Sequence, residues 1–493
     1  MNSKLTGIIV VGVLAASMGG VLLFLDKTGG QTDSSSADES SSAVIKQKEN
    51  NKTQLVDRSA EDVVKVAVTN KTDSFVMERN NTGKTVWNID ALPDLTLSLS
   101  EENGLADCAA TLKSFDTVEE NAGDMSKYGF DDPTSTFTVT FSDGEERTFV
   151  VGNMLPNSDR YYYLHEEGSN TVYQVLETYL SYMVEPKEEY ITKTLIVQPG
   201  SEAYPEYGTL TVKRKDLDYD IVIENDDNEK GAVSAQIMTS PVYGYLNISN
   251  STAFTHGMWG LTAETAVKIK PTDDDLREYG LDDPTAVVTL KGEGYDYTLN
   301  IGAAIHEKDE DGNDKDAVSA YYCTLEGAEG LDCVFRIPAA SLPWATNTPE
   351  NILSSLMTFN YIEDVSEIVI TKDGKTDDIL LTYDAGKEDI GSATLNGKSL
   401  EIESLKTFYE YILTCPTDEV YFTEPDESTS IMKIEIKRTD GGGDTLEYFA
   451  DTGRRTIVKL NGITSYRIKS TWITQLEENI TNLEAGKKIG ETY

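Results

Sequence analysis

The chain has 493 residues, with 42 Lys and Arg against 85 Asp and Glu and a net charge of −43. So acidic a balance argues against binding along a phosphate backbone, which needs clustered cations, and against docking of the folded part on anionic lipid. Its simplest meaning is a solubility coat; the sharper one is diffuse attraction of cations or of a basic partner.

Thr6 to Leu25 carries no charge, follows Lys4 and precedes Asp26. A run of this length spans a bilayer as a helix, and Lys4 with the free amine staying inside predicts an exported C-terminal bulk. Ala15 and Ala16 suit a cleaved signal peptide, but apolar residues continue to Leu25, past the usual h-region, which favours an uncleaved anchor. The expected order is therefore a cytoplasmic stub (1–5), a transmembrane anchor (6–25) and a Ser-, Asp- and Lys-rich disordered linker (26–58). As a flexible tether that linker has a span of roughly 30 Å.

Three units follow, at 59–188, 189–348 and 349–493, as the length prior suggests. In the first, Val64, Val66 and Val68 alternate as a strand and Trp87 and Ile89 mark another. A helix is expected over Leu105–Phe115, and Leu176, Tyr179, Leu180 and Met183 recur at helical spacing. The second opens with strands at Thr194–Val197 and Leu210–Val212; its helical region falls in Gly231–His256, interrupted by Pro241 and Gly244. The third has strands at Ile368–Ile370 and Ile379–Leu381 and an Asn396-Gly397 hairpin turn. A helix there carries Leu405, Phe408, Tyr409 and Ile412, and a last one runs from Trp472 to Leu483, stopped by Gly486. Strands outnumber helices and turns separate neighbouring strands, so the predicted class is α+β, with antiparallel sheets and one or two packed helices per unit.

One phrase is written twice, Tyr128-Gly129-Phe130-Asp131-Asp132-Pro133 and Tyr279-Gly280-Leu281-Asp282-Asp283-Pro284, 151 residues apart. Gly129 and Gly280 suit the left-handed position past a helix end. Met125 with Phe130 and Leu276 with Leu281 supply the apolar pair of a Schellman cap. Thr272 and Asp275 form a capping box, and Asp before Pro turns the chain into extended backbone. Matches continue in order: Val151-Gly152 with Ile301-Gly302, Tyr161-Tyr162-Tyr163 with Tyr321-Tyr322-Cys323, Tyr173-Gln174-Val175 with Phe335-Arg336-Ile337. A worn third copy is expected around Tyr421–Pro425, followed by Ile434–Ile436, Asp440-Gly441 and Tyr466–Ile468.

This phrase, followed by strands, an Ile/Val-Gly end and a Tyr-rich hairpin, resembles the domain-of-unknown-function 4340 family. The resemblance covers roughly residues 60–350 and the remainder weakly. It implies a membrane-anchored envelope protein, similar to companions of ABC-type exporters of the gliding-motility kind, and it carries no catalytic residues.

The residues themselves offer little chemistry. Asp131-Asp132 and Asp282-Asp283 would be a metal or acid/base site used twice, but adjacent residues in extended chain point to opposite sides, and turn chemistry is favoured. Glu307, Asp309 and Asp311 match an EF-hand loop centred on Gly312, yet Val318 stands where the bidentate Glu belongs, so a solvated acidic loop is favoured over a weak calcium site. His165, His256 and His306 show no metal-ligand spacing. The Tyr161–Tyr163 and Tyr321–Tyr322 clusters fit a half-buried strand better than a glycan or peptide groove. Cys323 and Cys333 flank one hairpin and suit a disulfide in an oxidising envelope; Cys108 and Cys415 read as buried apolar residues. No cofactor, metal or nucleic-acid partner is expected.

The expectation is a non-enzymatic extracytoplasmic binding or scaffold protein, with the membrane and an ABC-type transporter or other envelope protein as partners. The rivals are an envelope glycan or peptide hydrolase with scattered carboxylates, and a cation or ligand sensor.

Overall fold

The computed structural model describes residues 53–80, 86–201, 203–226, 234–309, 312–384 and 389–490. The stub, the anchor and nearly all of the linker expected from the sequence lie outside these residues. No helix among the described residues is long and apolar enough to cross a membrane.

The fold is α+β, built on three large antiparallel sheets. The first holds β2 (Val63–Asn70), β3 (Ser74–Arg79), β4 (Trp87–Ile89), β6 (Asp116–Glu119), β7 (Ser135–Phe141), β8 (Glu146–Met154), β9 (Tyr161–Glu166) and β10 (Val172–Leu176). Its spatial order is β4-β3-β2-β7-β8-β9-β10-β6. A small pair, β1 (Thr53–Gln54) with β5 (Lys113–Ser114), stands beside it. Helices α1 (Leu99–Ala110) and α2 (Ser181–Val184) belong to this unit.

The second sheet holds β11 (Thr209–Arg214), β12 (Ile221–Asn225), β13 (Gln236–Ser240), β14 (Gly244–Tyr245), β15 (Thr265–Ile269), β16 (Ala286–Gly292), β17 (Tyr295–Lys308), β18 (Asp314–Glu326) and β19 (Cys333–Pro338). Its order is β14-β13-β12-β11-β16-β17-β18-β19-β15. Its helices are α3 (Ile248–His256), α4 (Asp273–Glu278) and α5 (Pro349–Ile352). The third holds β20 (Val365–Lys372), β21 (Lys375–Tyr383), β22 (Ile390–Leu395), β23 (Lys398–Ser399), β24 (Ser430–Arg438), β25 (Gly443–Ala450), β26 (Arg455–Leu460) and β27 (Ile463–Lys469), in the order β23-β22-β21-β20-β24-β25-β26-β27. Helices α6 (Ile402–Leu413) and α7 (Ser470–Glu484) complete it.

The three orders superpose. In each, the first strand of the large sheet pairs with a strand that comes after the unit's long helix in sequence: β2 with β7, β11 with β16, β20 with β24. The far edge is β6 in the first sheet and β15 in the second. In the third it shrinks to the bridge Val420↔Tyr466, flanked by Tyr421 N–H to Ser465 O and Arg467 N–H to Glu419 O.

Junctions between units repeat as well. A strap leaving the first unit bridges Ile191 to Leu97, with Ser98 N–H donating to Tyr190 O at 2.7 Å and Thr192 N–H to Thr96 O at 3.0 Å. A strap leaving the second bridges Leu353 to Leu246, with Asn247 N–H to Ile352 O at 2.9 Å and Ser354 N–H to Tyr245 O at 2.8 Å. Each strap then bridges the segment behind the next unit's helix, Thr194 to Thr262 and Leu356 to Pro416. The incoming Gln54 does the same with Lys113 in the first unit. One continuous apolar core runs through all three sheets and includes the buried Trp87, Trp344 and Trp472.

Several elements differ from the sequence reading. The helix expected over Leu105–Phe115 starts at Leu99 and stops at Ala110, because the Leu112 carbonyl is taken by Leu55 and Val56 N–H of the strap. Thr194–Val197 is a strap rather than a strand; its apolar character buries Leu195 and Ile196 and leaves Val197 exposed. Of the region Gly231–His256, the described residues from 234 onward give β13 and β14 before α3. Leu176–Met183 gives a 3-10 turn and the one-turn α2.

The disulfide expected between Cys323 and Cys333 is not formed; both thiols are buried and free. Cys323 stands opposite Phe335, and Cys333 opposite Ile269. The two cysteines are thus diagonal neighbours, roughly 7–8 Å apart, beyond disulfide reach. Burial holds both thiols above their ordinary range, Cys333 at about 12. A thiol reagent at neutral pH is expected to miss Cys323, Cys333 and Cys415 in the native chain and to reach them in denaturant.

Candidate functional site

The two phrases occupy matching positions. Gly129 has φ +85° and Gly280 φ +68°. The second ends α4 in a Schellman cap, Leu281 N–H donating to Leu276 O at 2.7 Å and Gly280 N–H to Arg277 O at 3.2 Å. The Thr272–Asp275 capping box starts α4. In the first copy the helix is a single 3-10 turn, Ser126–Tyr128, and Gly129 N–H bonds Ser126 O at 3.0 Å.

Each phrase crosses the open face of its sheet over a glycine. A Cβ on Gly152 would stand 2.2 Å from the Tyr128 carbonyl oxygen, and one on Gly302 2.5 Å from that of Tyr279. Thr134 N–H and Thr285 N–H then tie each phrase to Val151 O and Ile301 O at 2.8 Å. The phrase tyrosines rest on the tyrosine clusters: Tyr128 on Tyr163 with ring centres 4.8 Å apart, Tyr279 on Tyr322 at 4.7 Å. Tyr163 and Tyr322 therefore serve the crossing, whereas Tyr162 and Tyr321 pack with the main apolar core.

The paired aspartates do not converge on an ion. Lys71 Nζ donates to the Asp132 carbonyl at 3.0 Å and pairs with its carboxylate; Lys215 Nζ does the same at Asp283, at 2.7 and 2.5 Å. Asp131 and Asp282 are exposed, the latter 3.8 Å from Arg277 Nε. Pro133 and Pro284 start the extended run into β7 and β16. Among the described residues, no group of three His, Cys, Asp or Glu is disposed to hold a metal ion.

The other sequence candidates lie apart. His165 bonds Glu166 O and Ser169 O in β9, His256 ends α3, and His306 bonds Lys315 O in the β17–β18 hairpin. At the tip of that hairpin Asp309 accepts from Asn313 N–H, Asp314 pairs with Lys308, and Glu307 pairs with Lys315.

A buried polar cluster sits where the second and third units meet, and sequence reasoning missed it. Asp444 on β25 is 3% exposed. It accepts from Tyr245 Oη at 2.7 Å, Thr358 Oγ1 at 2.5 Å, Asn360 Nδ2 at 2.8 Å and Asn461 Nδ2 at 3.0 Å. Burial, then the Asp444 charge, push the Tyr245 phenol far above its ordinary range, so it remains a donor. Tyr243 N–H adds a bond to Ser465 Oγ at 3.1 Å. In the sequence, Asp444 follows three glycines, Gly441-Gly442-Gly443, with nothing beside it that marks a site.

Glu102, on α1, is the second missed residue. It is 2% exposed, and its Oε1 has no hydrogen-bond partner among the described residues. Its place three residues before Leu105 on the buried face of α1 was the available signal. Burial raises its carboxyl to about 7. The unfolded chain releases this proton near the ordinary value, whereas the fold retains it until about pH 7, so the stability it contributes is lost as pH rises through 7. Glu102→Gln is expected to gain in thermal midpoint relative to the wild type between pH 5 and pH 8, read by melting both proteins across that range.

Residues 87–241 match the family model described as Domain of unknown function (DUF4340). The matched span begins in β4, contains the first phrase and crosses the first junction into the second sheet. No curated protein and no solved structure matches the chain.

Proposed function

We propose that the chain is a rigid, non-enzymatic scaffold made of three copies of one unit, anchored in a membrane by Thr6–Leu25. Its folded part lies outside the cytoplasm and engages another envelope component. The double bridging of each strap carries this reading: the same segment is paired into the unit it leaves and the unit it enters, at both junctions. Paired backbone on both sides, with Asp444 sealed at the second junction, suits a chain that holds its units in fixed succession rather than hinging them. The common strand order and the twice-kept phrase support the reading of the units as copies. The family resemblance makes an ABC-type transport complex the component of choice. Co-purification from detergent-solubilised membranes tests this: one envelope protein should be recovered with the chain repeatedly, and repeated recovery of the chain alone overturns it.

A further inference from the structure

The strap bridge has an acceptor side, and its residues recur three times. Leu97 precedes the N-cap Ser98 of α1, Leu246 precedes the N-cap Asn247 of α3, and Leu400 precedes the N-cap Glu401 of α6. In the first two units a strap covers this edge. In the third, β23 follows the two-residue Asn396-Gly397 turn, and Leu400 N–H bonds back to Ala393 O at 2.9 Å. Antiparallel strands alternate which residues face the partner, so the amide and carbonyl of Ser399 and the amide of Glu401 turn the other way, the Glu401 carbonyl accepting from Leu405 N–H at 3.1 Å in α6. Among the described residues no segment pairs with them on that side. Ser399 and Glu401 are exposed and Leu400 is half-buried.

We propose that Ser399-Leu400-Glu401 is an open strap acceptor, which pairs with an extended segment of a partner protein. Continuity with the two filled junctions defines the chemistry of that segment. The in-chain straps present Tyr190-Ile191-Thr192 and Ile352-Leu353-Ser354: a large apolar residue, a branched aliphatic one, then a hydroxyl. The Ser399 carbonyl accepts from the third residue and the Glu401 amide donates to the first, as Thr96 with Ser98 and Tyr245 with Asn247 do. This is addition of a strand to a sheet edge, with backbone bonds giving affinity and the central apolar side chain giving selectivity. A second copy of this chain does not supply the segment. Counting back from Gln54, which matches Thr194, its own corresponding residues are Asn50, Asn51 and Lys52.

The inference deepens the scaffold reading and rests on it for its purpose. Its test uses the full chain in detergent and a labelled peptide with the sequence Glu189–Val197. Saturable binding is expected, with a scrambled peptide inactive. Glu401 has φ −72°, which proline shares, so Glu401→Pro removes the amide donor without moving the backbone. That variant should bind the peptide about tenfold more weakly and melt with Glu401→Ala. Absence of saturable binding, equal binding by the variant, or a melting temperature of the variant below that of Glu401→Ala, which shares the loss of the Ser404 Oγ bond to the Glu401 carboxylate and so isolates the amide, overturns the assignment. Peptide-sensitive self-association of the wild type also overturns it, in favour of a second copy. If Glu401→Pro leaves a co-purifying protein in place, the acceptor fails while the scaffold reading stands.

Discussion

Alanine at Gly302 is expected to cost the fold about 3 kcal/mol, a drop of roughly 5–10 °C in thermal midpoint. The new Cβ meets the Tyr279 carbonyl at 2.5 Å and Leu281 Cγ at 2.9 Å. Backbone cannot swing aside as a flexible side chain would. The crossing is fixed by Ala303 N–H to Tyr279 O at 2.9 Å on one side and Thr285 N–H to Ile301 O on the other. Gly152→Ala should cost as much, with Tyr128 O at 2.2 Å.

The third unit supplies the control. Val151 stands opposite Ser135, Ile301 opposite Ala286 and Tyr448 opposite Met432, and the next residue is Gly152, Gly302 or Phe449. The Tyr-Gly phrase is missing from that unit, and Phe449 itself fills the face. Lys459 Nζ lies 5.4 Å above its ring, held by Glu424 and Glu427. A Gly302→Ala variant melting with the wild type would show that the crossing does not require glycine.

The second large effect is at Asp444. Alanine there strands two hydroxyls and two amides that now share one buried carboxylate, at about 3–5 kcal/mol. Because Tyr245 comes from the second unit and Asn461 from the third, the loss should fall on their union. Limited proteolysis is expected to cut between the second and third sheets, leaving fragments that each retain a cooperative melt. Asp444→Asn keeps one acceptor oxygen and should lose less. An Asp444→Ala variant that resists protease as the wild type does would remove the network from any role in joining the units.

What could be read in the sequence was local. The caps at Gly129 and Gly280, the Asn396-Gly397 turn, and helices α6 and α7 each announce themselves within a few residues, through a left-handed glycine or an apolar stripe. The start of α1 was not legible, because Leu99 is 54% exposed and breaks the apolar period, and the N-cap Ser98 makes no side-chain cap bond. The straps and Asp444 were hidden for another reason. Tyr190-Ile191-Thr192 has the composition of a strand, and only pairing with Thr96–Ser98, over ninety residues earlier, makes it a bridge. Asp444 finds Tyr245 across 199 residues, a separation that no window of residues spans. Asp132 and Asp283, which stood out by sequence, are pinned by partly exposed lysines, whereas the buried carboxylate that gathers four side-chain donors stood beside a glycine run.

The shared straps also fix the order in which the molecule can be completed. Thr96 and Ser98 remain without their partners until Tyr190 and Thr192 have been synthesised, and Tyr245 and Asn247 wait in the same way for Ile352 and Ser354. Each stretch of chain emerging from a ribosome or translocation pore thus closes the one before it, and a nascent product arrested near residue 188 is left with a gap in its wall. Growth from the N-terminal side gives the polypeptide a built-in clock, with maturation always lagging one module behind elongation.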